Sequence, residues 1–405
     1  MPSVPRRILL VDADAFFVAV ARWADPEGAG RASYLLVGGT AEGRGIVCSA
    51  SYEARAFGVK SAMPMSQAIR LCPDAMCVPV PGKACRLKHR EIRAVLETFS
   101  PVVQSASVDE WYVDLAGTEA YYDHASLDTI GHRIRNAVIV QTSMTVSIGG
   151  GTSKLIAKLA AERAKPKPEN GANGVRIVPA GEELDFMRLL KLADIPGIGP
   201  KTTARLAERG LRSVEDVLAL DSAGLSRLVG SRDAEWLARR VRAEDDGEVH
   251  HDRETAKSIS RDETFSVDID DDLMLEGELT ELAGRAAADL RGDGRKARTV
   301  TVRIRDRDFT TRQTSRTLDE ALASDRAIFV VARELLKKLR KARRVPARLL
   351  GVGLSNFSEP PAKQLALFGK IDPAIETAKD REVSRAVDAV RERFGRDAIA
   401  PGRKR

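Results

Sequence analysis

The sequence predicts an α+β chain of several domains, and three stretches carry that prediction. An apolar strand, Arg7–Val11, runs into two aspartates, and an acidic hairpin follows about a hundred residues later. A glycine-rich turn between two helices at 194–206 predicts a small helical domain. Strict alternation at Thr299–Arg305, with helical apolar spacing before and after it, predicts an antiparallel sheet covered by helices on one face.

Composition limits the class of protein. The chain has 405 residues, enough for about two to four domains, and its net charge of +7 suits a polyanionic partner. Four cysteines predict no disulfide framework and suit a reducing cytoplasm. Cys72, Cys77, Cys85 and His89 lack the usual zinc-ligand spacing, so we favour buried cysteines over a zinc site. No apolar run approaches the ~18 residues of a membrane span, so we expect no membrane contact.

The acidic hairpin is the first candidate site. Val102–Ser107 and Trp111–Leu115 have the composition of strands, which puts Asp109 and Glu110 at the tip between them. Adjacent carboxylates repel each other unless a cation lies between them, and Mg²⁺ binds a few carboxylate oxygens while leaving room for phosphates. The hairpin therefore predicts a Mg²⁺ site, although acidic tips also occur on hairpins that bind nothing.

Asp12 adds a third carboxylate. It follows the buried strand Arg7–Val11 and would face Asp109 and Glu110 if that strand lies beside the hairpin. Three carboxylates from two segments can hold two Mg²⁺ ions about 4 Å apart, an arrangement that serves phosphoryl transfer. We expect Asp14 to cap a helix or to form a salt bridge, with metal binding as the alternative.

A second group of polar residues follows the strand at 45–51. The stretch Tyr52–Gly58 predicts a short helix that ends at its glycine. Tyr52 and Arg55 are three residues apart, so they share one helix face, and both side chains can donate to phosphate oxygens. An exposed arginine beside a half-buried tyrosine is the structural alternative.

The glycines at 149–151 do not form a Walker phosphate loop, because the G-x-x-x-x-G-K-[ST] spacing is absent. The stretch 145–164 instead predicts a strand, a glycine turn, and a helix that Ser153 caps and that stops before Pro166. Lys165 or Lys167, in the loop that follows, could reach a triphosphate. A solvated loop lysine is the alternative.

The turn at 194–206 is a candidate phosphate-binding element. Gly197 and Gly199, just before Lys201, allow backbone N–H groups to point outward at a helix N-terminus. Such a helix-hairpin-helix holds a phosphate without reading the base that it carries. A plain glycine turn between packed helices is the alternative.

The alternating strand at Thr299–Arg305 predicts a second DNA-binding surface. Its aliphatic residues face the helices, and Arg303 and Arg305 face outward with the threonines. We expect Arg312 and Arg316 of the next strand on the same outward face, where they would follow phosphates in a salt-dependent way. A sheet face that is merely solvated is the alternative.

The C-terminal region begins with an extended, proline-containing linker. Leu365, Leu367 and Phe368 lie in that linker, and exposed apolar residues of this kind suggest docking to a partner. A helix at about Lys379–Phe394 follows.

Several motifs together resemble those of the Y-family translesion DNA polymerases, in the branch of bacterial polymerase IV. VDADAFF at 11–17 and SVDE at 107–110 resemble the metal motifs, and SYEAR at 51–55 resembles the fingers motif. QLALF at 364–368 resembles the motif that bacterial polymerases insert into the sliding clamp. The similarity covers nearly the whole chain. It implies a right-hand fold with a palm (1–22 and 81–180), small fingers (23–80), a helix-hairpin-helix thumb (181–250), an α/β little finger (253–357) and a tail (358–405).

The resemblance also implies roles for individual residues. Asp12, Asp109 and Glu110 are the implied catalytic residues, and with the Ala13 carbonyl they bind two Mg²⁺ ions, for which Mn²⁺ can substitute. The implied nucleotide-binding residues are Phe16, Phe17, Ser49, Tyr52, Arg55 and Lys165, with Phe17 as the steric gate against a ribose 2′-hydroxyl. The implied DNA contacts are Gly197, Gly199, Lys201, Arg303, Arg305 and Arg312, and the implied clamp contacts are Gln364, Leu365, Leu367 and Phe368.

The implied function is low-fidelity, template-directed DNA synthesis in translesion repair. The implied partners are primer–template DNA, dNTPs and the sliding clamp, for a monomer in the cytoplasm. One departure from the family is Trp111, which follows Glu110 where a small residue is usual. Two other functions stay open: a catalytically silent scaffold that binds DNA and clamp, and another two-metal phosphotransferase, such as a nucleotidyl cyclase or nuclease.

Overall fold

A computed structural model describes residues 5–40, 42–166, 171–251, 256–358, 375–395 and 398–399. The chain divides into two compact units, Met1–Arg253 and Glu254–Arg405. No helix within the described ranges is long and apolar enough to cross a membrane.

The first unit contains three separate groups of strands and helices. Its strands are β1 (Ile8–Ala13), β2 (Leu35–Gly38), β3 (Val47–Ala50), β4 (Met76–Val78), β5 (Val102–Ser105), β6 (Glu110–Asp114), β7 (Val146–Gly151) and β8 (Val175–Ile177). Its α-helices are α1 (Phe16–Ala24), α2 (Tyr52–Ala56), α3 (Met65–Leu71), α4 (Gly82–Glu97), α5 (Leu127–Thr142), α6 (Lys154–Ala164), α7 (Glu183–Arg188), α8 (Pro200–Glu208), α9 (Val214–Leu218), α10 (Ser222–Val229) and α11 (Ser231–Val241).

Strand β1 is the centre of a five-stranded sheet with the order β5-β6-β1-β7-β8. It pairs antiparallel with β6 and with β7, and β5 pairs antiparallel with β6, so the predicted hairpin is confirmed. All six residues of β1 are buried. Leu9 and Val11 pack in one core with residues of α4 and α5, while Ile8 and Leu10 pack with α6 on the opposite face. This burial on both faces explains the continuous apolar run.

The glycines at 149–151 lie within β7, so the predicted glycine turn is wrong. A Cβ on Gly149 would collide with the Ala157 carbonyl oxygen and the Ala161 nitrogen of α6, and glycine therefore allows the helix to cross the strand at close range. The predicted cap is confirmed, because Ser153 Oγ accepts a hydrogen bond from the Ile156 N–H at 3.3 Å.

A second sheet, with the order β3-β2-β4, forms its own core with α2 and α3. The predicted helix at Tyr52 is confirmed, and it is followed by Gly58 with a φ of +87°. Cys72 and Cys77 belong to this core, whereas Cys85 lies in the core of the five-stranded sheet. The cysteines are therefore divided between two cores and do not form a zinc site.

Helices α7–α11 form a third core around residues such as Ile198, Leu206 and Leu237. The predicted helix-hairpin-helix is present: a 3₁₀ turn at Leu192–Asp194 leads through the glycine-rich turn into α8. Gly197 has a φ of +99°, and a Cβ there would lie 2.6 Å from the Trp236 ring, so this position requires glycine.

The second unit is a four-stranded antiparallel sheet with helices on one face. Its strands are β9 (Ser258–Ile269), β10 (Lys296–Asp306), β11 (Thr311–Leu322) and β12 (Ala347–Ser358), and its helices are α12 (Asp272–Gly292), α13 (Asp325–Ala342) and α14 (Ala378–Phe394). The strand order is β11-β10-β12-β9. Val300, Val302 and Ile304 are fully buried among residues of α12 and α13, as the alternation predicted.

Candidate active site and DNA-binding surfaces

Two segments that are distant in sequence bring their carboxylates together where β1 ends and β6 begins, near the middle of the five-stranded sheet. Asp12 of β1 lies opposite Glu110 of β6 in the antiparallel register, so their side chains project from the same face of the sheet. The next residue, Ala13, donates its N–H to the Asp109 carbonyl at 2.9 Å. The backbone therefore holds all three acidic residues, and Ala13 with them, in one small region.

Two lysines of the α6 region pair with these carboxylates. Lys158 Nζ lies 2.8 and 2.7 Å from the two Glu110 carboxylate oxygens. Lys165 Nζ lies 3.1 Å from Asp12 Oδ2 and 2.7 Å from Glu162 Oε1. The α6 region thus supplies positive charge to both strands that carry the acidic residues.

Burial raises the pKa of Asp12 to about 7, even though Lys165 acts to lower it. For Lys165, burial alone would lower the pKa, but the carboxylates of Asp12 and Glu162 outweigh it and raise the pKa above its ordinary value. The carboxylate at position 12 is therefore costly to hold in its charged form, and nearby cations favour that form.

The donor set fits hard divalent cations after side-chain rotation. Within the described residues, no three His, Cys, Asp or Glu side chains are grouped so that they could hold a metal ion. The carboxylates are not grouped because each has its own partner: Glu110 binds Lys158, and the Asp109 carboxylate accepts a hydrogen bond from Ser107 Oγ. All candidate donors are oxygens, as Mg²⁺ prefers, and their backbones are already adjacent.

Asp14 does not cap α1, so the predicted N-cap is wrong. The N-cap position belongs to Ala15, which adopts a left-handed conformation with a φ of 44°. The buried Asp14 carboxylate accepts a hydrogen bond from Ser147 Oγ of β7 at 2.8 Å. Asp14, the residue directly after β1, therefore connects the end of that strand to β7.

Phe16 and Phe17 start α1 directly after the acidic strand. Phe16 is buried in the palm core, and Phe17 is only partly buried. Their rings meet edge to face, with centroids 5.7 Å apart. Phe16 thus supports Phe17, whose ring remains partly accessible.

Tyr52 and Arg55 share one face of α2, as predicted. The Arg55 guanidinium lies 5.1 Å from the centroid of the Tyr52 ring, and its Nε donates to the Ala50 carbonyl at 2.9 Å. Burial, together with the Asp14 carboxylate, raises the pKa of Tyr52, which shows that this phenol lies within electrostatic range of the acidic strand. Ser49 is buried on β3, opposite Val37.

The helix-hairpin-helix presents its glycines at the start of α8. Gly199 occupies the N-cap position and Pro200 the first helical position, a combination that leaves the neighbouring N–H groups without partners inside the helix. Lys201 is exposed in the first turn of the same helix. The arrangement is suited to an anion.

The outer face of the second-unit sheet consists mainly of small polar residues. Arg303 and Arg305 lie on it as predicted, with Arg305 Nε donating to Thr311 Oγ1 at 2.9 Å and Arg303 Nη1 lying 3.4 Å from Asp262 Oδ1. Along this face the register places serines, threonines and glycines beside the two arginines: Ser258, Ser260, Thr299, Thr301, Thr311, Ser315, Thr317, Gly351, Gly353 and Ser355.

Arg312 does not lie on that face, so its predicted outward placement is wrong. The register pairs Arg312 with the inward residue Ile304, and the guanidinium binds the fully buried Asp306 at 2.9 and 3.1 Å. It also donates to the Leu339 carbonyl of α13 at 2.6 Å. Arg316 likewise lies on the helix side, 2.7 Å from Glu334.

Sequence reasoning missed Lys158, although a signal was present. Lys158 and Lys165 are seven residues apart, which corresponds to about two helical turns and hence to one face of a helix. It also missed His89, whose ring contacts the acidic hairpin from α4. The proposed clamp residues Gln364, Leu365, Leu367 and Phe368, and also Lys167, lie outside the described residues.

Comparisons with known proteins cover almost the entire chain. Residues 11–162 match the model of the impB/mucB/samB family, 256–367 match the C-terminal domain of the same family, and 189–241 match a SAM-like helix-hairpin-helix tandem. A DNA polymerase IV of Dehalococcoides mccartyi is 36% identical over 98% of this chain and 97% of its own length. A DNA polymerase IV of Opitutus terrae is 34% identical over 97% of this chain and 95% of its own.

Solved structures agree with these relatives. A Y-family DNA polymerase chimera covers 86% of this chain and 98% of its own at 25% identity, with a TM-score of 0.75. An insertion ternary complex of Dbh DNA polymerase matches with the same coverage and identity and a TM-score of 0.59. The resemblance drawn from the motifs is confirmed, and with it the right-hand fold. The chain belongs to the impB/mucB/samB family, in the DNA polymerase IV branch of the Y-family polymerases.

Proposed function

We propose that this protein is a template-directed DNA polymerase of low fidelity that extends a primer 3′-hydroxyl with dNTPs in translesion synthesis. The observation that carries the proposal is the register of Asp12 opposite Glu110, with Asp109 bonded through its carbonyl to Ala13. Relatives named DNA polymerase IV over nearly the full length support it.

Asp12, Asp109 and Glu110, with the Ala13 carbonyl, would hold two Mg²⁺ ions, or Mn²⁺ in their place. When bound, such ions lower the pKa of an attacking hydroxyl and neutralise charge on the phosphates. Lys165, whose ammonium lies 3.1 Å from Asp12 Oδ2, would bind the triphosphate. The function of the chain itself is therefore to hold the reacting groups in place.

The nucleotide lies between the palm and the fingers in this proposal. Tyr52 and Arg55 donate hydrogen bonds to phosphate oxygens from one face of α2. Phe17 lies beneath the sugar, where its ring leaves no room for a 2′-hydroxyl, and the buried ring of Phe16 keeps it there. In the same proposal, Ser49 of β3 contacts the nucleotide from the fingers side.

DNA contacts come from the helix-hairpin-helix and from the outer sheet face of the second unit. Gly197, Gly199 and Lys201 hold a phosphate at the start of α8. Arg303 and Arg305, beside the many hydroxyl groups of the outer face, follow the backbone without reading the bases. The fingers region is small, about 23–80, so it encloses little of the nascent base pair. By family analogy, this exposure allows synthesis on damaged templates.

We also propose that Gln364, Leu365, Leu367 and Phe368 bind the sliding clamp, and that the protein works as a monomer in the cytoplasm. All four cysteines are free thiols, which suits a reducing compartment. Replacing Gln364, Leu367 and Phe368 by alanine should abolish stimulation by the clamp while leaving clamp-independent extension intact. Full stimulation of the triple variant would mean that the clamp is contacted elsewhere.

Primer extension on intact and lesion-containing templates tests the proposed activity. Mg²⁺-dependent extension past lesions supports it. DNA binding without any extension would instead favour a silent scaffold, and formation of cyclic nucleotides or cleavage of DNA would favour another two-metal phosphotransferase.

A further inference from the structure

Trp111 follows Glu110 where the resembled family usually has a small residue, and it has a specific structural partner. Its side chain is completely buried in the core beneath the five-stranded sheet. The indole stacks on the ring of His89 of α4, with centroids 5.0 Å apart and planes inclined by 30°. A large aromatic residue after Glu110 therefore fixes the position of a histidine in the helix layer.

The His89 ring is hydrogen-bonded to the acidic hairpin through both nitrogens, to Val108 in the turn and to Ser105 at the end of β5. Nδ1 lies 2.9 Å from the Val108 carbonyl oxygen, and Nε2 lies 3.4 Å from Ser105 Oγ. Because a carbonyl only accepts, Nδ1 carries the proton that is donated to Val108. In the neutral imidazole Nε2 is then the acceptor for the Ser105 hydroxyl.

Val108 immediately precedes Asp109, so this contact acts on the segment that carries the carboxylate. The other hydrogen bonds of the turn come from the sheet and from the turn itself: Ala13 N–H donates to the Asp109 carbonyl at 2.9 Å, and Asp109 N–H donates to Ser107 Oγ at 3.2 Å. The first connects the turn to the neighbouring strand β1, and the second lies within the turn. His89 connects it to α4, a different layer of the molecule.

We propose that His89, held by its stack on Trp111, is a positioning residue that fixes Asp109 through the Val108 carbonyl. The inference rests on the proposed polymerase function and adds a positioning residue to the proposed active site. A small displacement of a metal-binding carboxylate lowers the rate of the chemical step, because the reacting groups must be held in near-attack geometry. Binding of DNA and of dNTP should depend on it little.

Three variants separate positioning from packing. His89→Phe keeps an aromatic ring against Trp111 but removes the donor to Val108. His89→Gln removes the ring but keeps an amide that can donate. Arg90→Ala, which changes an exposed neighbour on the same helix, is the matched control.

Single-turnover incorporation should show the effect in the chemical step. His89→Phe should lower the maximal rate about tenfold, the loss expected for one hydrogen bond of about 1.4 kcal/mol. It should also raise the Mg²⁺ concentration needed for half-maximal rate, while the Kd values for dNTP and primer–template DNA stay within about twofold of the parent. His89→Gln should recover most of the rate, and Arg90→Ala should match the parent.

A melting curve for each variant monitors folding. If the larger ring of His89→Phe prevents folding, His89→Leu replaces it, because His89→Leu and His89→Gln both lack the ring and differ in the donor. The inference is overturned if the variant that lacks the donor, His89→Phe or its replacement, has the rate and Mg²⁺ dependence of the parent. It is overturned as well if His89→Gln is no faster than that variant. It is also overturned if losses follow the melting temperature, because that pattern indicates packing alone. A parent protein that extends no primer would contradict the proposed function instead, so the two failures are distinguishable.

Discussion

Asp12 and Glu110 lie directly opposite each other on neighbouring antiparallel strands, and each carboxylate is paired with a different lysine of the α6 region. These ion pairs connect β1 and β6 to α6 and its C-terminal end. The same helix packs closely against β7 at Gly149. Two of the three candidate metal-binding carboxylates therefore have a lysine partner within the chain, whereas the Asp109 carboxylate accepts a hydrogen bond from Ser107. The predictions below test the parts of this arrangement separately.

Lys165 should be the triphosphate lysine, and Lys167 should not. Lys165→Ala should lower kcat/KM for dNTP incorporation by about 10- to 100-fold, the range expected for a lost hydrogen bond between charged groups. Steady-state incorporation kinetics measure this effect. Lys167→Ala is the matched control and should be close to the parent; the opposite ranking would transfer the role to Lys167.

Phe17→Ala should admit ribonucleotides. Removing the ring opens space beneath the sugar, so the preference for dNTP over rNTP should fall by about 100-fold, whereas incorporation of dNTP itself should change much less. Competing dNTP and rNTP incorporation by the same preparation measures the ratio. An unchanged ratio would remove the gate role from Phe17.

Arg303 and Arg312 should respond in opposite ways to substitution. Arg303→Ala should weaken DNA binding and change stability little. It should also reduce the slope of log Kd against log salt by about 1, the change expected when one phosphate contact is lost. Arg312→Ala should leave that slope unchanged but cost about 2 kcal/mol of stability, because it removes one of the two guanidinium partners of the buried Asp306 carboxylate, with only Arg343 remaining. Salt-dependent binding and denaturant unfolding check the pair, and a lower slope for Arg312→Ala would contradict the register.

Gly149→Ala should destabilise the palm. Its new Cβ would collide with the backbone of α6, which cannot yield as a flexible side chain can, so we expect a loss of about 2 kcal/mol or more. Gly277→Ala in α12 is the control, because nothing lies within 4 Å of the added carbon and alanine favours a helix by about 0.5–1 kcal/mol. Denaturant unfolding compares the two, and equal stability of Gly149→Ala and the parent would refute the close crossing.

The acidic site was predictable because its signals are local. The apolar run before Asp12 reflects burial on both faces of β1, and two strand-like segments with a short acidic connection can hardly form anything but the observed hairpin. The same holds for Val300, Val302 and Ile304, whose alternation alone indicates the buried face. Only the proximity of β1 to the hairpin needed a further assumption.

The errors concern features that depend on tertiary contacts. Arg312 seemed equivalent to Arg303 in sequence, but the pairing of β11 with β10 places it opposite Ile304, and no local pattern fixes that register. The glycines at 149–151 resemble a turn, yet an added Cβ at Gly149 or Gly151 would collide with α6, and one at Gly150 would collide with side chains such as Leu9 and Ile177. The stack of His89 on Trp111 joins α4 to β6, and sequence spacing does not reveal such a contact.

The most direct measurement of the central claim is primer extension by Asp109→Ala beside the parent, with DNA affinity measured on both. The account predicts that the variant loses at least about 1,000-fold in extension rate, equivalent to about 4 kcal/mol of barrier, while binding primer–template DNA as the parent does. Asp128→Asn, on the exposed surface of α5, is the control and should extend normally. Extension by Asp109→Ala at the rate of the parent would contradict the account.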